Sequence, residues 1–105
     1  MDQRQIQNAL NRYLQNLNRR VKVSSALVFG SLAEGKADPN DIDLLILSED
    51  FKKLDTDERL KILYRASVGF PYDLHLFGLT PEELEKSSPL TTLGAIKQGK
   101  TLRLA

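Results

Sequence analysis

Residues 41–47 of this chain read Asp-Ile-Asp-Leu-Leu-Ile-Leu, two carboxylates followed by four apolar residues in a row. Apolar positions at both parities of a short run do not suit a half-solvated strand. They suit a central strand covered on both faces, so the chain must supply strand neighbours and helices to cover them. The run is far shorter than the ~18 apolar residues of a membrane span. Upstream, residues 23–29 (Val-Ser-Ser-Ala-Leu-Val-Phe) form a second strand that Gly30 punctuates. Downstream, residues 72–77 (Tyr-Asp-Leu-His-Leu-Phe) alternate with period two and predict a third.

Helical signals surround these strands. In residues 2–20, Ile6, Leu10, Tyr13, Leu14 and Leu17 recur at helical spacing, with Asp2 as N-cap and Gln5 as its capping-box partner. Residues 56–67 predict a second helix, capped by Asp55 with Glu58, with Leu60, Leu63 and Tyr64 facing the core. Thr80-Pro81-Glu82-Glu83 is a helix start with a cap, Pro at the first helical position and Glu at the third. Ser88-Pro89 opens a further short helix that ends by Gly99, and the alternating tail Thr-Leu-Arg-Leu-Ala is an edge-strand candidate. At 105 residues the expectation is one small α/β (α+β) domain over residues 1–105, with a mixed sheet.

Composition narrows the chemistry. Without cysteine, disulfides, thiolate zinc sites and a Cys nucleophile are excluded, and a single His argues against a His-built metal site. Net charge +1 gives no global basic field for nucleic acid. The polar N-terminus lacks the apolar centre of a signal peptide, so a soluble cytoplasmic protein without a membrane segment is expected.

The chemistry-bearing stretch runs from Phe29 to Leu47. Asp41 and Asp43 are two apart on a strand, so they share a face at about 6.5–7 Å. That spacing lets both reach a pair of divalent cations, and oxygen-only ligands select Mg²⁺ or Mn²⁺. Asp73, within the third strand, is the candidate third carboxylate. Gly30 permits close backbone approach to a ligand, and the Ser31 hydroxyl and neighbouring N–H groups can donate to phosphate oxygens. His75 shares the Asp73 face and reads as a packed or hydrogen-bonded side chain. Residues 30–36 also fit the P-loop spacing G-x-x-x-x-G-K, but Ala37 replaces the required Ser/Thr and Pro39 would break the helix that must follow.

The set Gly30-Ser31, Gly35 and Asp41-Ile42-Asp43-Leu44 resembles the signature of the DNA polymerase β-like nucleotidyltransferases. More specifically, the chain resembles the minimal nucleotidyltransferases, antitoxin-type partners of HEPN-domain toxins. The resemblance implies a polymerase β-like fold with helices packed on one side of the sheet. It implies transfer of a nucleoside monophosphate, AMP from ATP, to a hydroxyl on a partner protein. Asp41, Asp43 and Asp73 would then be catalytic metal ligands, and Gly30 and Ser31 would bind the nucleotide phosphates. Two departures stand out: Leu32-Ala33-Glu34 replaces the family's frequent Arg-Ala-Arg, and Asn40 replaces the usual Ser. The competing readings are non-catalytic: an antitoxin that covers a toxin, a sensor that binds nucleotide without transfer, or a partner subunit that completes a larger transferase. A homo-oligomer is left open.

Overall fold

The computed structural model describes residues 3–29, 41–86 and 102–103, with Gln3, Asp41, Leu102 and Arg103 described by backbone only. In chain order the elements are helix α1 (Gln3–Asn18), strands β1 (Ser25–Phe29) and β2 (Asp41–Leu47), a 3-10 turn at Glu49–Lys53, helix α2 (Thr56–Arg65), strand β3 (Asp73–Leu79), helix α3 (Pro81–Glu85) and strand β4 (Leu102–Arg103). The sheet order is β3-β2-β1-β4. β2 pairs parallel with β3, while β1 pairs antiparallel with both β2 and β4. The expected mixed sheet and the tail edge strand are both present. Asp2, the 31–40 loop and the helix expected between Ser88 and Gly99 lie outside the described residues.

β2 sits inside the sheet, and its apolar run is buried at both parities, as an interior strand requires. Ile42, Leu44 and Ile46 join Ala26, Val28, Leu74 and Leu76 under the helices. The five residues expected on the inner face of α1 are all buried there. Leu45 and Leu47 bury on the opposite face, against Leu27, Phe29, Phe77, Leu79 and Leu84. α1 is tied to the end of α2 by the Tyr13 hydroxyl, which donates to the Leu63 carbonyl at 3.0 Å. Burial, with a lesser contribution from Tyr64, pushes the Tyr13 phenol above its ordinary range and keeps it a donor.

Several local expectations need correction. β1 starts at Ser25 rather than residue 23, because the chain before it is held by side chains: Lys22 N–H donates to Asp50 Oδ2 and Val23 N–H to Asn18 Oδ1. β3 runs two residues beyond Phe77, since Gly78 lets the strand continue beneath Phe51 and Leu63. The α2 helix closes at Arg65 and is rotated from the expected face. Leu63 is fully buried and Leu60 half-buried, but Tyr64 is 45% exposed and Arg59 only 8% exposed.

Arg59 can occupy a core-facing position because its polar end is satisfied. Its Nε donates to the Leu54 carbonyl, and Nη1 donates to the Gly78 carbonyl. The guanidinium grips both carboxylate oxygens of Glu83 at 2.8 and 3.2 Å and lies 5.7 Å from the Phe51 ring centroid. Glu83 also closes the capping box with Thr80, so one carboxylate fixes the start of α3 against α2.

Tyr64, though exposed, has a structural task at the sheet edge. Its hydroxyl donates to the Leu74 carbonyl at 3.3 Å and accepts from Leu76 N–H at 3.4 Å, occupying the outer side of β3.

The Arg59 hydrogen bonds hold the Glu83 carboxyl below the ordinary Glu value of 4.5. A depressed folded-state value contributes stability above the unfolded value and loses it as pH falls through the folded one. Urea midpoints should therefore drop as pH is lowered below 4.5, and Glu83→Gln should flatten that dependence. The Glu83 side chain is 44% exposed, so screening keeps its share to about 0.2–1 kcal/mol. An identical acid slope in wild type and variant would exclude this role.

Candidate active site

The register between β2 and β3 builds the acidic end of the sheet. Asp41 stands opposite Asp73, and Asp43 opposite His75. Paired residues of neighbouring strands lie on the same face, so strand alternation puts positions 41, 43, 73 and 75 on one side. It is the side away from α1 and α2. β1 reaches its end at Phe29, opposite Asp43, so the strand leading to Gly30-Ser31 terminates beside the same carboxylates. Gly30 and Ser31 themselves lie outside the described residues.

His75 Nδ1 lies 3.2 Å from Asp43 Oδ1, with side chains 56% and 26% exposed respectively. His75 thus stands at ion-pair distance from Asp43, a proposed metal ligand. Asp73 is exposed one register step away. Toward the interior the face turns apolar. The Phe29 and Phe77 rings approach across β2 with centroids 5.6 Å apart and planes at 51°. Below them Leu45 is fully buried. The carboxylates thus stand on a solvent-accessible rim beside an apolar patch.

Accessible carboxylates on a rigid strand pair are hard oxygen donors, and these fit Mg²⁺ or Mn²⁺ rather than a softer metal. Among the described side chains no three acidic or histidine groups converge at ligand distance.

Sequence reasoning did not pair His75 with Asp43. The signal was available: Asp73 and His75 repeat the two-residue offset of Asp41 and Asp43, which is what parallel strands in register require. The Phe29–Phe77 contact had a weaker signal, in the alternation Asp73, His75, Phe77.

The nucleotidyltransferase domain family matches this chain over residues 10–98, a span that contains all of β1, β2 and β3. The chain belongs to that family. Solved structures show the same fold. The crystal structure of a toxin–antitoxin with AMP-PNP aligns with a TM-score of 0.63 at 21% identity, over 94% of this chain and 72% of that one. A Sulfolobus solfataricus protein provisionally assigned as a nucleotidyltransferase aligns with a TM-score of 0.66 at 16% identity, over 96% of this chain and 80% of that one. BolA1 from Arabidopsis thaliana shares part of the architecture, with a TM-score of 0.55 at 15% identity over 71% of this chain and 94% of its own. No curated protein matches in sequence. Among the described residues of this nucleotidyltransferase, no helix is long and apolar enough to cross a membrane.

Proposed function

We propose that residues 1–105 form one catalytic domain, acting in the cytoplasm, that transfers AMP from ATP to a hydroxyl of a partner protein. The observation that carries this reading is the parallel register, which sets Asp41 opposite Asp73 with Asp43 next along the same face. Asp41, Asp43 and Asp73 would hold Mg²⁺ or Mn²⁺, and Gly30 with Ser31 would hold the phosphates of ATP. When bound, such a cation neutralises phosphate charge and polarises the phosphorus under attack.

The chain's own residues do the remaining work. Asp73, exposed at the β3 edge, accepts the proton of the incoming hydroxyl at its carboxylate. The acceptor oxygen then bonds to the α-phosphorus while the bond to the bridging oxygen breaks, and pyrophosphate leaves. His75 holds Asp43 by Nδ1 and fixes that carboxylate's orientation. The apolar patch limits water on one side of the site.

The partner is proposed to be a HEPN-domain toxin, with this chain as its antitoxin. The fold shared with a toxin–antitoxin structure supports a protein partner, and the HEPN assignment rests on the sequence resemblance. Intact-mass spectrometry of the partner after incubation with Mg-ATP should reveal a single AMP adduct that disappears with Asp73→Asn. A verified binding partner that never acquires the adduct would instead assign the chain to a toxin-covering role without catalysis.

A further inference from the structure

Two cavities lie side by side on the β3 flank of the molecule. The larger, about 620 Å³, is bounded by α1 and by the loop between α2 and β3. The smaller, about 410 Å³, is bounded by Tyr64 and by the start of β3, including Asp73 and His75. Ser67, Phe70 and Tyr72 belong to both walls, so the two form one groove. One end opens over Arg12 of α1, and the other ends at the candidate active site.

The wall is built in advance. Ser67 N–H and Oγ both bond to the Tyr64 carbonyl, Phe70 N–H bonds to the Ser67 carbonyl, and Gly69 takes the left-handed φ of 87° that the turn needs. Tyr13, Phe70 and Tyr72 stack edge to face, at 6.3 and 5.9 Å between successive centroids. Asn16 fastens the other wall through the Ala66 carbonyl. Among the described residues, the two exposed large hydrophobics are Val68, 83% exposed, and Tyr64. Both line this groove. Val68 on the preformed turn and the Tyr64 ring on α2 are the kind of exposed apolar anchor that a bound partner covers.

We infer that this groove seats an extended polypeptide segment of the acceptor protein and delivers its hydroxyl to Asp73. The inference rests on reading Asp73 as the acceptor-side carboxylate. The lining selects the occupant. Aromatic rings and Val68 take apolar side chains, and the amides of Gln5, Asn8 and Asn16 match a peptide backbone in both donors and acceptors. Among the described residues, Arg12 is the one charged residue lining the larger cavity, and it favours an acidic side chain at that end. A nucleic-acid strand would bring its phosphates against Asp73 and Asp43, which disfavours it. Because Tyr64 occupies the outer edge of β3, the segment is held through side chains rather than added to the sheet.

The test needs no knowledge of the partner. A displayed library of random 12-residue peptides is panned on the purified chain, and enriched peptides are synthesised and titrated by calorimetry. Peptides combining an acidic and an apolar anchor should be enriched. Their amide shifts should fall within residues 5–16 and 64–75. Val68→Asp, at a solvent-exposed position, should weaken them at least about tenfold, and Arg12→Glu should switch the preference from acidic to basic peptides. No enrichment, shifts elsewhere, undiminished binding to Val68→Asp, or displacement by a single-stranded oligonucleotide would overturn the inference. Peptide binding in the groove without any AMP adduct would leave the groove standing and remove the transfer reading. An adduct formed equally well by Val68→Asp and wild type would do the reverse.

Discussion

Asp43→Asn should lower AMP transfer by on the order of 10²–10³-fold or more, because it removes charge that balances the cation-bound phosphates where the reaction develops its own charge. The change is small in every other respect. Asn keeps the volume of Asp, and its amide oxygen can still accept from His75 Nδ1, now 3.2 Å from Oδ1. The loss should therefore appear in the rate and not in the fold. Thermal midpoints give an independent reading. A ligand that binds only the folded state stabilises it by about 2.7 kcal/mol at one hundred times its Kd. Millimolar Mg-ATP should raise the midpoint of the wild type, and the rise should shrink sharply in Asp43→Asn while the two unliganded midpoints stay close. A wild type unmoved by Mg-ATP, or a variant moved equally, would take Asp43 out of the metal set.

The second large effect is on stability. Phe51→Ala should cost about 3–5 kcal/mol, the range for truncating a buried aromatic. That is a large fraction of the roughly 5–15 kcal/mol that holds a domain together. Phe51 has no exposed surface, and it lies under the Arg59 guanidinium and over Gly78. A Cβ at position 78 would meet Phe51 Cε2 at 3.0 Å and Leu63 Cδ1 at 3.1 Å. Gly78→Ala alone should thus be destabilising by about 1–3 kcal/mol through overpacking. In a Phe51→Ala background one of the two obstructing side chains is gone. The same Gly78→Ala change should then be close to neutral, a positive coupling that urea titration of the four proteins would measure. Strict additivity would mean that residues 51 and 78 do not share this space.

What the sequence made legible follows the strength of its periodicities. The α1 face was readable because five apolar residues repeat at helical spacing, and β2 because only an interior strand suits its apolar run. The capping boxes at Asp55 and Thr80 could be read from short-range spacing and are present, while the one expected at Asp2 lies outside the described residues. The 3-10 turn was not readable. Glu49–Lys53 carries four charges around one Phe, and its placement depends on Ser48 donating to the Lys22 carbonyl, a contact across 26 positions. The facing of α2 escaped for a related reason. Arg59 looks like a surface residue until Glu83, Leu54 and Gly78 are brought around it. For the site, the three acidic positions were legible as a motif, and the register that sets Asp41 opposite Asp73 shows how two of them come together. The role of His75 toward Asp43 depended on that register and could not be read from spacing within one strand.

The parallel pairing of β2 with β3 carries a consequence for how this protein can vary. Odd and even positions of these two strands have been given to different masters. Ile42, Leu44, Leu74 and Leu76 hold the helices, while Asp43, Asp73 and His75 face the other way. Sliding β3 by a single residue would turn its acidic and histidine side chains into the greasy interior and carry Leu74 and Leu76 out of it. No gradual path connects the two arrangements. Insertions and deletions should therefore be tolerated in the chain before and after β3 but not within Asp73–Leu79, and any variant that folds cooperatively has its carboxylates in alignment as a by-product of having a core.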